Sequence, residues 1–290
     1  MTQTWTMPFR DGYTWYRMDR CQGPGEPLIV LHGGPGATHD YLTPLTTLVE
    51  DGHSVLLYDQ FGTGRSSRRP YWDPSKFTMD LYLDELAQVI HSAPVSGFHL
   101  LGHSWGGMLA VEYALRHQDR IFAGKRQLLS LTLSDTMAAT DLIAPSVEAR
   151  REAIRAELGP GADEDTVEQL FAERNICRVP MTDELAYSFA QLAENRTIHD
   201  ALGGRDGAPG TLTGWSSIDR LHRLTVPTLV LAGEHDQVSE IAWGPFVDRI
   251  PGVASHVFAG ASHVPFIESP EEYRTVLRDF LRAQENRREG

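Results

Sequence analysis

Short apolar runs recur along the chain, each closed by glycine or polar residues and followed by a longer stretch whose apolar positions return every three or four residues. Leu28 to Leu31, Ser54 to Tyr58, Phe98 to Leu101, Leu129 to Leu133, Thr228 to Ala232 and Ser255 to Phe258 read as strands. Thr38 to Asp51, Thr78 to Ser92, Trp105 to His117, Ile241 to Arg249 and Pro270 to Glu285 carry the helical period. Continuous apolar runs suit strands buried on both faces, so the alternation predicts a mainly parallel sheet with helices on both sides. The alternating stretch Gly12 to Arg20 predicts an antiparallel edge hairpin with its neighbours.

The rhythm breaks once. Between Met137 and His222 charged helical stretches replace it, over Ser146 to Leu158, Asp163 to Asn175 and Thr182 to Asn195, followed by a glycine-rich loop at Gly203 to Gly210. This divides the chain into a core of residues 1–136 and 223–290 and an inserted helical cap of residues 137–222. A cap leaving the sheet after the Leu129 strand would close over the strand ends where open α/β sheets bind ligands.

A chain of 290 residues that is 41% hydrophobic can bury a large core. Its formal net charge of −13 argues against nucleic acid and anionic membranes as partners. Arg65, Arg68 and Arg69 come nearest to a basic patch, and their Ser/Gly/Pro setting reads as a solvated loop. Cys21 and Cys177 fit no metal or redox spacing and read as free thiols. With no secretory leader and no apolar run of membrane-spanning length, the sequence predicts a cytoplasmic protein.

The chemistry concentrates at Gly102-His103-Ser104-Trp105-Gly106, which a strand enters and a helix leaves. A serine on so sharp a turn sits in strained backbone, and glycines on either side let strand and helix approach; this is the setting of a nucleophile. A serine hydroxyl needs a base and an orienting acid. Asp236 follows the Thr228 strand and His263 the Ser255 strand, giving the order serine, acid, histidine that α/β hydrolases use. His263 would take the Ser104 proton while Asp236 fixes the imidazole tautomer, and an unperturbed imidazole predicts activity lost below about pH 6.5. Glu234 is the alternative acid and His235 a weaker base. His103 reads as structural, and His99, His117 and His222 as packed or surface side chains. A second glycine-rich turn, His32-Gly33-Gly34-Pro35-Gly36, follows the Leu28 strand, so the backbone N–H groups of Gly34 and Trp105 would form an oxyanion hole.

These motifs, together with Asp59-Gln60-Phe61-Gly62-Thr63-Gly64-Arg65-Ser66, resemble the proline iminopeptidases of the α/β-hydrolase superfamily over nearly the whole chain. The resemblance implies an α/β-hydrolase fold: a mostly parallel eight-stranded sheet, helices on both faces and a helical cap inserted after the sixth strand. It implies no cofactor and no metal, a short-peptide or small-molecule substrate, and release of an amino-terminal residue, often proline. It assigns the triad to Ser104, Asp236 and His263 and the hole to Gly34 and Trp105. Members of that family read the substrate's free amino group with carboxylates. The first such position here is Gln237, and the second falls within Gly207 to Thr213, which holds no acidic residue. Asp206, Glu240 and Glu194 are the nearby carboxylates that could substitute. The other functions compatible with the pattern are a non-peptidase esterase, amidase or acyltransferase, and a silent ligand-binding scaffold.

Overall fold

The computed structural model describes residues 1–68, 73–93, 96–118, 127–205 and 208–289. Arg69 and Asp206 therefore lie outside the described residues. Eight strands form one sheet: β1 (Thr2–Phe9), β2 (Gly12–Asp19), β3 (Gly25–Leu31), β4 (His53–Asp59), β5 (Gly97–His103), β6 (Gln127–Ser134), β7 (Thr228–Gly233) and β8 (Ala254–Phe258), in the spatial order β1-β2-β4-β3-β5-β6-β7-β8. β2 runs antiparallel to β1 and β4, and every other pairing is parallel. The edge hairpin read from Gly12 to Arg20 is thus present.

Period-two burial builds two cores on this sheet. Ile29, Leu31, Leu56, Tyr58, Phe98, Leu100 and Leu131 face α1 (Met79–Ser92) and α2 (Trp105–His117). Leu28, Val30, Val55, Leu57, Leu101 and Leu229 face the opposite layer. That layer holds a 3-10 helix at His39–Asp51 and, through Tyr273, Leu277 and Leu281, the carboxy-terminal helix Pro270–Glu289. The Thr38 to Asp51 segment is helical as its period predicts but winds as a 3-10 helix; Pro44 within it has no N–H to give to an α-helical ladder.

Between β6 and β7 come α3 (Ile143–Leu158), α4 (Glu164–Asn175), α5 (Asp183–Glu194) and α6 (Thr197–Gly203). The first three match the predicted stretches, whereas α6 and the 3-10 turn Ile218–Arg223 are additions. The expected Gly203 to Gly210 loop contains a minimal pairing of Gly204–Arg205 with Ala208–Pro209. After β7 the chain forms α7 (Glu240–Arg249), then, beyond β8, α8 (Pro265–Glu268) and α9, the carboxy-terminal helix just described. No helix among the described residues is long and apolar enough to cross a membrane.

Candidate active site

Ser104 stands between β5 and α2 at φ 55° and ψ −124°, a conformation rare for any residue with a side chain. The flanking glycines are sterically required. A Cβ on Gly102 would lie 2.1 Å from the carbonyl oxygen of Gly106, and one on Gly106 would lie 2.2 Å from that of Leu31. Ser104 is held by its N–H donating to the Ser134 carbonyl at 3.0 Å and by Thr136 Oγ1 donating to its own carbonyl at 2.7 Å.

The two glycine-rich motifs interlock beneath it. His32 Nε2 accepts the Gln60 N–H at 3.0 Å while Gln60 Nε2 donates back to the His32 carbonyl at 2.8 Å. Gln60 Oε1 then accepts from Trp105 Nε1 at 2.8 Å. Burial pushes the His32 imidazole down to about 4, so the ring is neutral and can accept. The Gly33 N–H is committed to Tyr41 Oη at 2.7 Å, whereas Gly34, at φ 118°, and Trp105 border the cavity beside Ser104. Asp59 organises the second motif: it accepts from the N–H groups of His39 and Arg65 and pairs with the His39 ring at 2.7 Å. Arg65 is thus no free solvated arginine, since its guanidinium bridges Asp40 and Asp59.

Asp236 and His263 meet as read. Asp236 Oδ1 is 2.7 Å from His263 Nδ1 and also accepts the Val238 N–H at 2.9 Å. Asp236 is fully buried and His263 nearly so, and burial pushes the His263 imidazole down to about 4. Glu234 is exposed and holds the Gly260 N–H instead, because its side chain points to the surface. His103 is structural, as expected, and its bonds form a chain. The Gly33 N–H donates to Tyr41 Oη, Tyr41 to His103 Nδ1 at 2.7 Å, and His103 Nε2–H to the His263 carbonyl at 2.7 Å. The glycine turn and the histidine loop are thereby fixed relative to one another. Ser104 is partly exposed and its hydroxyl makes no hydrogen bond to His263 in this conformation; such contacts are commonly long in the free state and tighten around substrate.

Several residues at the site were not singled out from the sequence. Asp135, directly after β6, is fully buried at φ 52°; its carboxylate accepts from the Gly233 N–H at 3.0 Å and from Ser134 Oγ at 2.6 Å, and it faces Asp236. Burial raises both carboxyls, and the charge of Asp236 raises Asp135 further, which favours a proton shared between them. Such a proton would satisfy Asp236 Oδ2, which is buried and has no hydrogen-bond partner. Three residues of the inserted helices hold the acid loop: Arg150 donates to the carbonyls of Asp236 and Glu234, Ser146 to that of Gln237, and Asn175 to that of His235.

Ser104, Gly34, Pro35 and Trp105 open on a cavity of about 320 Å³ walled by Met108, Met137, Ile143, Leu202 and Leu212, with Asp141 as its one charged wall residue among the described residues. The proposed amino-group readers among the described residues do not line it. Gln237 bonds Asn175 and Ser146 through its backbone and does not line the cavity, and Glu240 is exposed at the start of α7. Glu194 is exposed at the end of α5 and bonded to Gln191.

Residues 26–270 match the family model for the alpha/beta hydrolase fold. A proline iminopeptidase of Clostridioides difficile is 31% identical over 96% of this chain and 98% of its own length. The chain belongs to the proline iminopeptidase family of α/β hydrolases. Among solved structures, a proline iminopeptidase of Mycobacterium smegmatis superposes with a TM-score of 0.88 at 36% identity, covering 97% of this chain and 98% of that one. VinJ superposes at 0.83 with 31% identity over 97% and 99%. As a member of this family the protein is a hydrolase of the proline iminopeptidase-like, serine hydrolase type.

Proposed function

We propose that the protein releases a compact, apolar, amino-terminal acyl group from a short peptide, amide or ester through an acyl-enzyme on Ser104. Ser104 Oγ attacks the carbonyl carbon and passes its proton to His263 Nε2, while Asp236 holds Nδ1–H and balances the imidazolium. The N–H groups of Gly34 and Trp105 receive the oxyanion. His263 then protonates the leaving amine or alcohol, and water repeats the sequence to free the acid. The observations that support this reading are a strained serine opening on an apolar cavity, a buried His263–Asp236 pair, and His103, next to the serine in the chain, bonded to the His263 carbonyl.

The cavity wall supports the choice of acyl group, since five apolar side chains offer a ring or small aliphatic residue a dry seat. A fluorophosphonate probe is expected to label the wild type and not Ser104→Ala. Unblocked prolyl and alanyl amides should be cleaved faster than their N-acetyl counterparts. Equal labelling of both proteins would overturn the nucleophile assignment, and preference for the blocked set would replace the aminopeptidase reading with that of an esterase or amidase.

A further inference from the structure

At the opposite end of the sheet from Ser104, three residues with metal-ligating side chains converge. His53 opens β4, His99 lies near the start of β5, and Glu285 lies near the end of α9. All three occupy positions where the pattern calls for apolar side chains. His53 and His99 share the sheet face of Val55, Leu57 and Leu101, and Glu285 continues the buried stripe of Tyr273, Leu277 and Leu281 by one turn. β4 and β5 flank β3, so the two imidazoles reach across it, and Gly25 makes the room: a Cβ there would lie 2.9 Å from the His53 ring.

The spacing is that of a coordination sphere. Glu285 Oε1 is 3.4 Å from Nε2 of His53 and 3.4 Å from Nε2 of His99, and the three ligand atoms lie within 4.8 Å of one another. Ligands about 2.0–2.1 Å from a tetrahedral zinc ion are roughly 3.3 Å apart. The outer contacts are also those of a metal site. His99 Nδ1 meets Ser130 Oγ at 2.7 Å, its Nε2 reaches Glu285 Oε1 at 3.4 Å through a proton that a bound cation would displace, and the Glu26 N–H fixes Glu285 Oε1 at 2.7 Å.

His53 supplies the independent sign. It is 1% exposed, and neither of its ring nitrogens has a hydrogen-bond partner. Buried polar groups are otherwise almost always bonded, so an imidazole whose nearest polar contact is a misaligned one to a carboxylate at 3.4 Å, beside a second imidazole, calls for a ligand. Arg282, a cation acting on His53, donates to the Asp51 carbonyl.

We propose that His53, His99 and Glu285 bind one divalent cation of the zinc type, with water completing four ligands, and that the ion ties α9 to the amino-terminal ends of the central strands. Two imidazoles and a carboxylate suit Zn²⁺ or Co²⁺ rather than Mg²⁺ or Ca²⁺. His99 precedes Ser104 by five residues of extended chain, about 16 Å at the usual strand rise, so the ion is structural and takes no part in acyl transfer.

The test uses the full chain without an affinity tag, stripped of metal and titrated with Zn²⁺ by equilibrium dialysis, with thermal unfolding followed in parallel. One equivalent should bind in the micromolar range or tighter and raise the melting temperature, and Co²⁺ should give the visible absorption of a four-coordinate site. His53→Gln and Glu285→Gln should each weaken binding at least tenfold while hydrolysis without metal is unchanged. Absence of stoichiometric binding to the wild type would overturn the proposal whatever the variants do. So would full binding in both variants, which would place the ion elsewhere, as at the His39, Asp40 and Asp59 cluster.

Discussion

At the scale of single residues, the site depends on which protons stay where. His263 must be neutral to accept the Ser104 proton, and burial pushes its value down to about 4, with Glu268 opposing. A lowered value keeps the base neutral at lower pH, so the acid limb of kcat/KM is expected below about pH 6, lower than an unperturbed imidazole implies. A limb at or above 6.5 would show that the Asp236 carboxylate outweighs burial. The Asp135–Asp236 pair gives a second expectation. In Asp135→Asn the amide can still accept the Gly233 N–H and can donate to Asp236 Oδ2, so kcat should stay within about tenfold of wild type. Asp135→Ala leaves Oδ2 unpaired and should cost about 1–3 kcal/mol of stability and shift the pH profile. Asp236→Asn should lower kcat by about 10⁴-fold, the loss typical of a triad with the wrong tautomer. Equal activity of Asp135→Asn and Asp135→Ala would remove the shared proton from the account. Ser104, Asp236 and His263 were legible because each sits at a strand end in a fixed order. Asp135 also follows a strand, but a lone acid after Ser134 carries no motif, and its burial comes only from the way β6 lies beside β7.

At the scale of elements, α1 carries a buried carboxylate that the amphipathic pattern conceals, because Glu85 falls between residues of the apolar stripe. It accepts the Phe61 N–H and the Thr14 hydroxyl, so one side chain joins α1, β2 and the turn after β4. Burial pushes its carboxyl up to about 8 from an ordinary 4.5. Between those values the native state holds a proton that the unfolded chain has lost. Stability contributed here is therefore present at low pH and falls as pH rises toward the folded value, by up to ~1.4 kcal/mol per pH unit. Glu85→Gln stays neutral throughout and should flatten that dependence, read as the difference in urea midpoint between about pH 5 and pH 8. An unchanged slope would mean that Glu85 ionises in the native state. The helices over Ser146 to Leu158, Asp163 to Asn175 and Thr182 to Asn195 were plain from their period. What α3 and α4 do was not: Arg150, Ser146 and Asn175 grip the acid loop through backbone carbonyls, and carbonyls leave no mark on a sequence.

At the scale of the whole molecule, the substrate seat exists only where the sheet and the inserted segment meet. Ser104, Trp105 and Met108 come from the core, whereas Asp141, Ile143, Leu202 and Leu212 come from the segment between β6 and β7. No local pattern reports such a juxtaposition, which is why the carboxylates proposed from sequence proximity, Glu194 and Glu240, fall outside the wall and Asp141 lies within it. A substrate bearing a free amino group brings a cation into this apolar cavity, and Asp141 is the described wall residue whose charge can meet it. Asp141 is solvent-exposed in the free protein, so the pairing is screened and should be worth about 1 kcal/mol, or roughly fivefold. Asp141→Asn should therefore lower kcat/KM for prolyl and alanyl amides about fivefold while leaving small uncharged esters unaffected, shrinking the preference for unblocked over N-acetylated substrates. Raising the salt concentration should reduce that preference in the wild type and leave the variant unchanged. If Asp141→Asn slows charged and uncharged substrates alike, the residue shapes the cavity without reading charge, and the amino group must be met by some other part of the molecule.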